Sequence, residues 1–455
     1  MAPKNRIIID TDPGVDDVLA MLLALSASPE ELEVVMLSVT YGNVPLQRHK
    51  DGRSCLRNVV ALFHVLEKEL AWRSSTGRAS GPGFGALKTY KPIVALGAEH
   101  PLEDELLMAD HFHGADGLHG VHEAHPDLSP ADTWKQLFAE ESQHASAAAP
   151  PADTASLSAF FTPCKTVAHK EMLRILREEP ADTITIVAIG PLTNVALAAA
   201  EDPVAFLRVK ELVVMGGAVD FPGNITPSAE FNCYADAVAA ARVYALTSPT
   251  PASTMPPLLH GKSVLPPYPA SLPRQLKLTL FPLDITTPHL LDEPFFHAQI
   301  AATEQADSPL ARWVRSFMDG TFRKIASIEG EGGELGLSLH DPMCIWYMLQ
   351  RDDPAWKPVA RPEDIRVETV GQWTRGLHVV DRRGRDRPDD KNTNVAAAAI
   401  TAETVPGGDD LQIGEVPGDD MGWMSTRRGN RINRIIGSPG VDVFAGYLMK
   451  RIFEC

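Results

Sequence analysis

Four aspartates crowd a short stretch near the start of the chain, IIIDTDPGVDDVLAMLLAL, which begins at Ile7. They are Asp10, Asp12, Asp16 and Asp17. A helix N-terminus stabilises each nearby negative charge by only about 0.3 to 1 kcal/mol, which is too little for four carboxylates. Acidic capping of a solvated helix would explain Asp16 or Asp17, but not two aspartates at the end of an apolar strand. The cluster therefore predicts a hard divalent cation, calcium or magnesium, held by carboxylate oxygens.

The pair His340 and Asp341, in the stretch GLSLHDPMCIW, is the best candidate to complete such a site. Calcium takes about six to eight oxygen ligands, so further ligands must come from distant parts of the chain. The pair precedes a proline and an apolar helical run. A simple helix-start cap is therefore the alternative explanation.

A second polar group follows the buried-strand pattern VKELVVMGGAV and contains Asn224, Glu230 and Asn232. Amides and carboxylates suit a polyhydroxylated ligand such as a sugar, because each hydroxyl both donates and accepts hydrogen bonds. A surface loop is the alternative explanation. Asn43, in the turn YGN, is a candidate for the same pocket. The clusters contain no lysine or arginine and no phosphate-binding glycine motif is present, which disfavours a phosphorylated substrate.

A histidine-rich stretch, DHFHGADGLHGVHEAH, invites a transition-metal interpretation. Its histidines are His111, His113, His119, His122 and His125. The sequence HEAH lacks the spacing of the zinc-binding H-E-x-x-H helix, and the glycines interrupt any helix here. A glycine-hinged loop over a pocket is the favoured interpretation.

The elements that would position these residues alternate between strand and helix. An apolar run over 6–10, a helical pattern over 15–27 and the run EVVMLSVT predict a parallel β-α-β unit. The arrangement recurs from Thr183 and Val209, and KLTLFPLDIT and PEDIRVETV are predicted to be further strands. The sequence thus predicts one large α/β domain over residues 1–455.

Three stretches depart from this alternation. Residues 126–163 are predicted to be a low-complexity insertion rich in alanine, serine and proline, and 248–273 a proline-dense crossover. Residues 382–439 are predicted to be a loop-rich insertion before a C-terminal helix at 440–455. None carries a chemical signature or is predicted to be a separate domain.

The composition narrows the partners and the compartment. A formal net charge of -17 disfavours binding to nucleic acid or to an anionic membrane. No apolar stretch reaches the length of a membrane helix, and no secretory leader is predicted. The five cysteines are scattered without a C-x-x-C pair, which favours a reducing, cytoplasmic location.

Taken in order, the motifs DTDPGVDD, YGN, HGADGL, IGPLTNVALA, MGGA, GNITPSAEFN and HDP resemble the inosine-uridine nucleoside hydrolase family over about residues 6 to 380. The resemblance implies a Rossmann-like fold, with a mixed, mostly parallel sheet flanked by helices. It also implies one calcium ion per chain and hydrolysis of the N-glycosidic bond of purine or pyrimidine ribonucleosides, such as inosine or uridine. A homodimer or homotetramer is the expected assembly.

By motif matching, the resemblance assigns roles to individual residues. The calcium ligands would be three carboxylates and one backbone carbonyl, those of Asp12, Asp17, Asp341 and Ile189. Asp10 would support them from behind. Asp12 would also accept a proton from the attacking water, and His340 would be the acid near the leaving base. The ribose would contact Asp16, Asn43, Met215, Asn224, Glu230 and Asn232.

Two alternatives stay open. A haloacid-dehalogenase-like phosphatase would use the D-x-D of Asp10 and Asp12 with a later Gly-Asp-Asp, at Gly408 or Gly418, but here Pro-Gly follows the D-x-D. A non-catalytic nucleoside-binding protein of the same fold would keep these residues without turnover. The stretch ADAVAA after Tyr234 and the long insertions depart from the family pattern, so the base preference is not fixed.

Overall fold

The computed structural model describes residues 3–46, 54–78, 83–130, 132–138, 159–257, 265–329, 336–384 and 418–453. Its strands are β1 Asn5–Thr11, β2 Leu32–Val39, β3 Ile93–Leu96, β4 Thr162–Cys164, β5 Ile184–Ala188, β6 Glu211–Met215, β7 Leu278–Phe281, β8 Leu290–Asp292, β9 Gly336–Ser338, β10 Lys357–Pro358, β11 Arg366–Val367, β12 His378–Val379 and β13 Asn433–Gly437. Nine of these form one sheet in the order β10-β13-β7-β6-β5-β1-β2-β3-β4. All of its pairings are parallel except that of β10 with β13. The predicted mixed, mostly parallel α/β fold is therefore confirmed.

Helices cover both faces of this sheet. The α-helices in the described residues are Val15–Leu25, Cys55–Ser75, Gly85–Thr89, Asp110–His113, Val121–Ala124, Ala168–Glu178, Thr193–Glu201, Pro203–Phe206, Phe231–Ala235, Ala237–Ala245, Leu283–Thr286, Glu293–Gln305, Pro309–Glu329, His340–Leu349 and Val441–Phe453. Short 3-10 turns occupy Pro126–Leu128, Asp132–Leu137 and Pro251–Ser253. In the part of the chain that the structure describes, no helix is long and apolar enough to cross a bilayer.

The apolar run at the start of the chain is explained by burial on both sides of β1. Ile7 and Ile9 face one core, against helices that include Val15–Leu25 and His340–Leu349. Ile8 faces the other core, with Ala168–Glu178 among its helices. Because successive residues of a strand point to opposite faces, a strand covered on both sides needs apolar residues at every position.

The order in which successive strands join the sheet reverses between β1 and β5. From β1 the chain adds β2, β3 and β4 outward on one side, whereas β5, β6 and β7 follow on the other. The backbone N–H of Ile189, just after β5, donates to the carbonyl of Asp10 at 2.8 Å. Ligands of open α/β sheets bind at such a switch point, outside the carboxyl ends of the strands.

Two predicted strands differ from the structure. KLTLFPLDIT contains β7, but Pro282 ends the strand and the short helix Leu283–Thr286 follows. PEDIRVETV contributes only β11, which pairs with β12 outside the central sheet. Proline explains the first case, since it has no N–H for a strand ladder.

The insertions are partly described. The interval 126–163 includes two 3-10 turns and ends in β4 at the edge of the sheet, while residues 139–158 lie outside the described residues. The interval 382–439 was predicted to be loop-rich, yet it ends in β13, which pairs with β7 inside the central sheet. Residues 385–417 lie outside the described residues. The helix Val441–Phe453 follows, and the assignment of 1–455 to one domain stays a prediction.

Candidate active site at the carboxyl ends of the strands

Two helices begin at the switch point and bring three carboxylates together. The helix Val15–Leu25 carries Asp16 and Asp17 in its first turn, and His340–Leu349 carries Asp341 in its own. One oxygen from each of these carboxylates lies within 4.8 Å of the other two, and all three residues are buried. Within the described ranges, no other group of three or more His, Cys, Asp or Glu side chains has this geometry.

Asp17 also organises the turn that precedes its helix. Its Oδ1 accepts hydrogen bonds from Thr11 Oγ1 at 2.6 Å and from the N–H of Asp12 at 3.1 Å. Its Oδ2 accepts from the N–H of Gly14 at 3.0 Å and from Asn43 Nδ2 at 2.8 Å. The aspartate therefore caps the helix and fixes the turn at the same time.

Asp12 lies beside this group but outside the 4.8 Å set, in a slot lined by glycine. Its Oδ2 accepts from the N–H of Asn43 at 2.8 Å. Its Oδ1 is buried and has no hydrogen-bond partner among the described residues. A Cβ atom at Gly190 would lie 2.5 Å from that oxygen, and one at Gly42 would collide with the other oxygen. Only glycine at these two positions leaves room for the carboxylate.

Asp10 stands behind the cluster, where the structure joins it to two neighbouring elements. Its Oδ1 accepts from Ser38 Oγ at 2.5 Å and from Asn194 Nδ2 at 2.9 Å. Asn194 Oδ1 in turn accepts from the N–H of Ala98 at 2.7 Å. Asp10 thus ties β1 to β2 and to the helix Thr193–Glu201.

The buried aspartates resist ionisation. Burial raises the pKa of Asp10 to about 7, and burial together with the Asp17 charge raises the pKa of Asp16 to about 7. Burial raises the pKa of Asp17. Burial and the neighbouring aspartates raise the pKa of Asp12 and of Asp341 well above the ordinary range.

No basic side chain that the structure describes compensates the charge of the five buried aspartates, which are Asp10, Asp12, Asp16, Asp17 and Asp341. None of the ion pairs between described residues joins one of them to a lysine or an arginine. A buried group of carboxylates in which two oxygens, Asp10 Oδ2 and Asp12 Oδ1, lack a hydrogen-bond partner among the described residues is suited to a cation. The donors are all oxygen atoms, which fits calcium or magnesium.

Glu230 lies at the polar side of the pocket predicted for the ribose, and it caps the helix Phe231–Ala235. Its carboxylate accepts from the backbone N–H groups of Gly217 at 2.8 Å, Asn232 at 2.7 Å and Cys233 at 3.0 Å. The residue is only 2% exposed, and burial raises the pKa of its carboxyl group. Glutamate here ties the glycine turn after β6 to the helix that follows.

Asn232 joins the ends of β5 and β6. Its Nδ2 donates to the carbonyl of Ile189 at 3.1 Å and lies 3.5 Å from Met215 Sδ. Asn224 is exposed, and its Oδ1 accepts from the N–H of Phe231 at 2.9 Å. Asn232 thus contacts the carbonyl of Ile189, whose own N–H donates to the carbonyl of Asp10. The placement of Asn224 in a ribose pocket stays a prediction.

His340 lies in the same helix turn as Asp341. Its Nδ1 is 2.7 Å from Thr286 Oγ1. Burial lowers the pKa of His340 to about 4, so the imidazole is neutral at pH 7 without ligands. The threonine fixes the orientation of the ring.

The histidine-rich segment packs against the acidic turn, and among the described residues its side chains form no group of three with metal-ligating geometry. His113 Nδ1 accepts from the N–H of Val15 at 3.2 Å, at the start of the first long helix. His122 Nε2 lies 2.8 Å from Asn58 Oδ1. His111 is exposed. The segment forms a wall of the site.

Sequence reasoning missed several residues that hold the site. They are Asn58, Asn194 and Thr286. Asn58 offered a usable signal, because it is a polar residue inside the apolar helical pattern LRNVVALF. Asn194 lies within the motif IGPLTNVALA, but neither that motif nor the sequence around Thr286 shows which distant residue each side chain contacts.

The model of the family described as "Inosine-uridine preferring nucleoside hydrolase" matches residues 7–72 and 83–405 of this chain. The chain belongs to that family. The membership confirms the resemblance drawn from the motifs and makes the chain a member of an enzyme family. It gives no support to a haloacid-dehalogenase-like phosphatase, whose Gly408 also lies outside the described residues.

Relatives cover most of the chain. The chain is 31% identical over 375 residues to the pyrimidine-specific ribonucleoside hydrolase RihA of Salmonella paratyphi C, which covers 82% of this chain and 88% of that protein. It is 29% identical over 376 residues to an uncharacterized protein of Schizosaccharomyces pombe, covering 83% of this chain and 89% of that protein.

Solved structures of nucleoside hydrolases share the fold. The plant nucleoside hydrolase PpNRh1 superposes with a TM-score of 0.60 at 21% identity, covering 100% of both chains. A purine-preferring ribonucleoside hydrolase from Gardnerella vaginalis superposes with a TM-score of 0.60 at 18% identity, covering 98% of both chains. At these identities the likeness concerns the fold alone.

Proposed function

We propose that this chain hydrolyses the N-glycosidic bond of ribonucleosides to a free base and ribose, with one calcium ion per chain. One observation carries the proposal: Asp16, Asp17 and Asp341 meet in a buried group at the switch point. Asp12 places an oxygen without a partner beside them. Membership of a nucleoside hydrolase family gives the reaction class.

Asp12, Asp17, Asp341 and the carbonyl of Ile189 are the proposed ligands. Calcium fits better than magnesium, because donors from separate strands and helices suit the irregular coordination of calcium, whereas magnesium demands near-ideal octahedral geometry. Asp16 belongs to the same 4.8 Å group and is proposed to face the ribose. When bound, calcium would supply the positive charge that keeps these carboxylates ionised and orients a water molecule and the ribose hydroxyls.

Asp12 is the proposed proton acceptor. Its Oδ1 is free of hydrogen bonds among the described residues, whereas Oδ2 is held by Asn43. The carboxylate can therefore take a proton from the attacking water without breaking an existing contact. The reaction passes through an oxocarbenium-like state, and the buried carboxylates beside the sugar would stabilise its positive charge.

His340 is the proposed acid for the departing base. Because burial lowers the pKa of His340 to about 4, the ring is neutral at pH 7. It can therefore act as an acid only after it has taken up a proton with the substrate bound. Thr286 Oγ1 also reaches the carbonyl of Pro282, at 3.3 Å. If the threonine hydroxyl donates there, His340 Nδ1 donates to the threonine, which leaves Nε2 to receive and pass on a proton.

The ribose would be bound by Asp16, Asn43, Met215, Asn224, Glu230 and Asn232. Asn43 uses its Nδ2 on the Asp12 carbonyl and on Asp17, and Glu230 is engaged by three backbone N–H groups. Only their remaining acceptor positions are open to hydroxyl groups. These two side chains would therefore accept hydrogen bonds from hydroxyl groups of the sugar, such as those of a 2′,3′-diol.

Release of ribose from a panel of nucleosides tests this function. The panel is inosine, uridine, cytidine and nicotinamide riboside, each with calcium and with a chelator. Both purine and pyrimidine substrates are proposed, because one relative is named pyrimidine-specific and one structural neighbour purine-preferring. Calcium-dependent release of ribose from at least one of them supports the proposal. No release from any of them by the calcium-loaded protein would favour a non-catalytic nucleoside-binding protein.

The assembly and the location belong to the same proposal. We expect a homodimer or a homotetramer, which light scattering of the purified chain measures directly. A cytoplasmic location is also expected. The cysteines of the described residues are free thiols, in keeping with a reducing compartment.

A further inference from the structure

Asn58 connects the acidic turn to the histidine-rich segment. It lies in the helix Cys55–Ser75 and is fully buried, at 0% exposure. Its Nδ2 donates to the carbonyl of Pro13 at 2.8 Å and to the carbonyl of Asp116 at 3.0 Å. One side-chain amide therefore bridges the turn that follows Asp12 and the loop HGADGL.

His122 fixes the other end of the same amide. Its Nε2 lies 2.8 Å from Asn58 Oδ1, and its Nδ1 lies 3.2 Å from Ser129 Oγ. Because both hydrogens of Asn58 Nδ2 are used, Oδ1 is an acceptor and His122 Nε2 must be the donor. Burial lowers the pKa of His122 to about 4, so the ring is neutral at pH 7 and holds that tautomer.

A glycine allows the close approach of these groups. Gly117 has a positive φ of 82°, which suits glycine and strains other residues. A Cβ atom there would lie 2.9 Å from Asn58 Nδ2 and 3.3 Å from the carbonyl oxygen of Pro13. The loop, the helix and the turn therefore meet at one closely packed point.

We infer that Asn58, oriented by His122, is a positioning residue for the proposed cation site. The inference rests on the proposed function. The carbonyl of Pro13 immediately follows Asp12 and precedes Gly14, whose N–H donates to Asp17. Holding that carbonyl keeps the two carboxylates in place against their mutual repulsion. The histidine-rich segment thus supports the proposed cation site and does not itself bind a transition metal in this inference.

Calcium binding to the full chain tests the inference. The chelated protein is titrated with calcium alone in a calorimeter. Asn58→Leu and His122→Leu should each weaken binding by about 10-fold, the lower end of the range for residues that orient metal ligands. His122→Gln retains an N–H for Asn58 Oδ1 and should restore most of the affinity. His111→Leu, on an exposed histidine of the same segment, is the matched control and should bind as the wild type does.

The outcomes separate the inference from the proposed function. Wild-type affinity in folded Asn58→Leu would overturn the inference, as would equal weakening by His122→Leu, His122→Gln and His111→Leu. If Asn58→Leu does not fold, the two His122 variants decide, because only a hydrogen-bonding role is rescued by glutamine. A wild-type chain that binds no calcium contradicts the proposed cation site itself.

Discussion

The carboxylates of Asp17 and Asp341 lie within 4.8 Å of each other, in the first turns of two helices that pack together. Each helix N-terminus favours negative charge, but by only about 0.3 to 1 kcal/mol per group. Burial nevertheless raises the pKa of both carboxyl groups. The fold therefore brings together charges that it does not itself neutralise, and this relationship motivates the proposed calcium ion.

Asp12→Asn should reduce turnover far more than Asp10→Asn. Asparagine at position 12 cannot accept the proton, so kcat should fall by about 10²- to 10⁴-fold. Asparagine at position 10 keeps an oxygen for Ser38 and Asn194, so its loss should stay within about tenfold. Steady-state kinetics at saturating calcium measure both. Comparable losses in the two variants would contradict the different roles given to these aspartates.

Gly190→Ala should impair the site without removing any polar group. The added Cβ would lie 2.5 Å from Asp12 Oδ1, so the carboxylate must move. We expect calcium affinity and kcat to fall together, by at least about tenfold. Calorimetry and steady-state kinetics report the two quantities. Gly446→Ala, in the helix Val441–Phe453, is the comparison variant, because the nearest atom to a Cβ there lies 3.9 Å away, at an ordinary contact distance. Unchanged activity of Gly190→Ala would show that turnover does not depend on the position of the Asp12 carboxylate.

His340→Ala should slow the departure of the base from the ribose. If the imidazole protonates the base, kcat/KM for a natural nucleoside should fall by about 10²- to 10⁴-fold. Hydrolysis of p-nitrophenyl riboside should change much less, because nitrophenolate leaves without protonation. Thr286→Val, which removes the 2.7 Å contact to the ring, should show a weaker form of the same pattern. Equal losses on both substrates would exclude an acid role.

His378 should make stability depend on pH. Its Nε2 lies 3.0 Å from the hydroxyl of buried Tyr244, and burial lowers the pKa of His378 to about 4. The unfolded value is about 6.5, so the neutral ring stabilises the fold fully above pH 6.5. That contribution is lost as the pH falls toward 4.

The variant His378→Gln isolates this contribution. The gap in free energy of unfolding between wild type and variant should be largest at pH 7.5 and should shrink by about 2 kcal/mol at pH 5. Urea unfolding at both pH values, in the same calcium concentration, measures it. A gap that does not change with pH would show that the histidine is not held neutral by burial.

The sequence predicted the parts of this site that depend on local pattern. The apolar run before Asp10 and the helical pattern after Pro13 predicted the strand-to-helix junction. A strand that is buried on both faces has apolar residues at nearly every position, so it can be recognised in the sequence. The motif at His340 and Asp341 predicted a second helix start. Both junctions are present in the structure.

The remaining features depend on contacts between distant residues. Nothing local shows that Glu230 accepts a hydrogen bond from the N–H of Gly217, or that Asn58 reaches the carbonyl of Pro13. The strand β13 could not be predicted for the same reason, because its partner β7 lies far away in the chain. Such contacts are set by packing, which no short motif encodes.

Turnover measured during a calcium titration tests the central claim most directly. The protein is freed of metal with a chelator, and ribose release from the best nucleoside is followed as calcium is added. We predict no release without calcium and a rise that levels off at one equivalent per chain. Full activity in the metal-free protein, or no activity at saturating calcium, would contradict it.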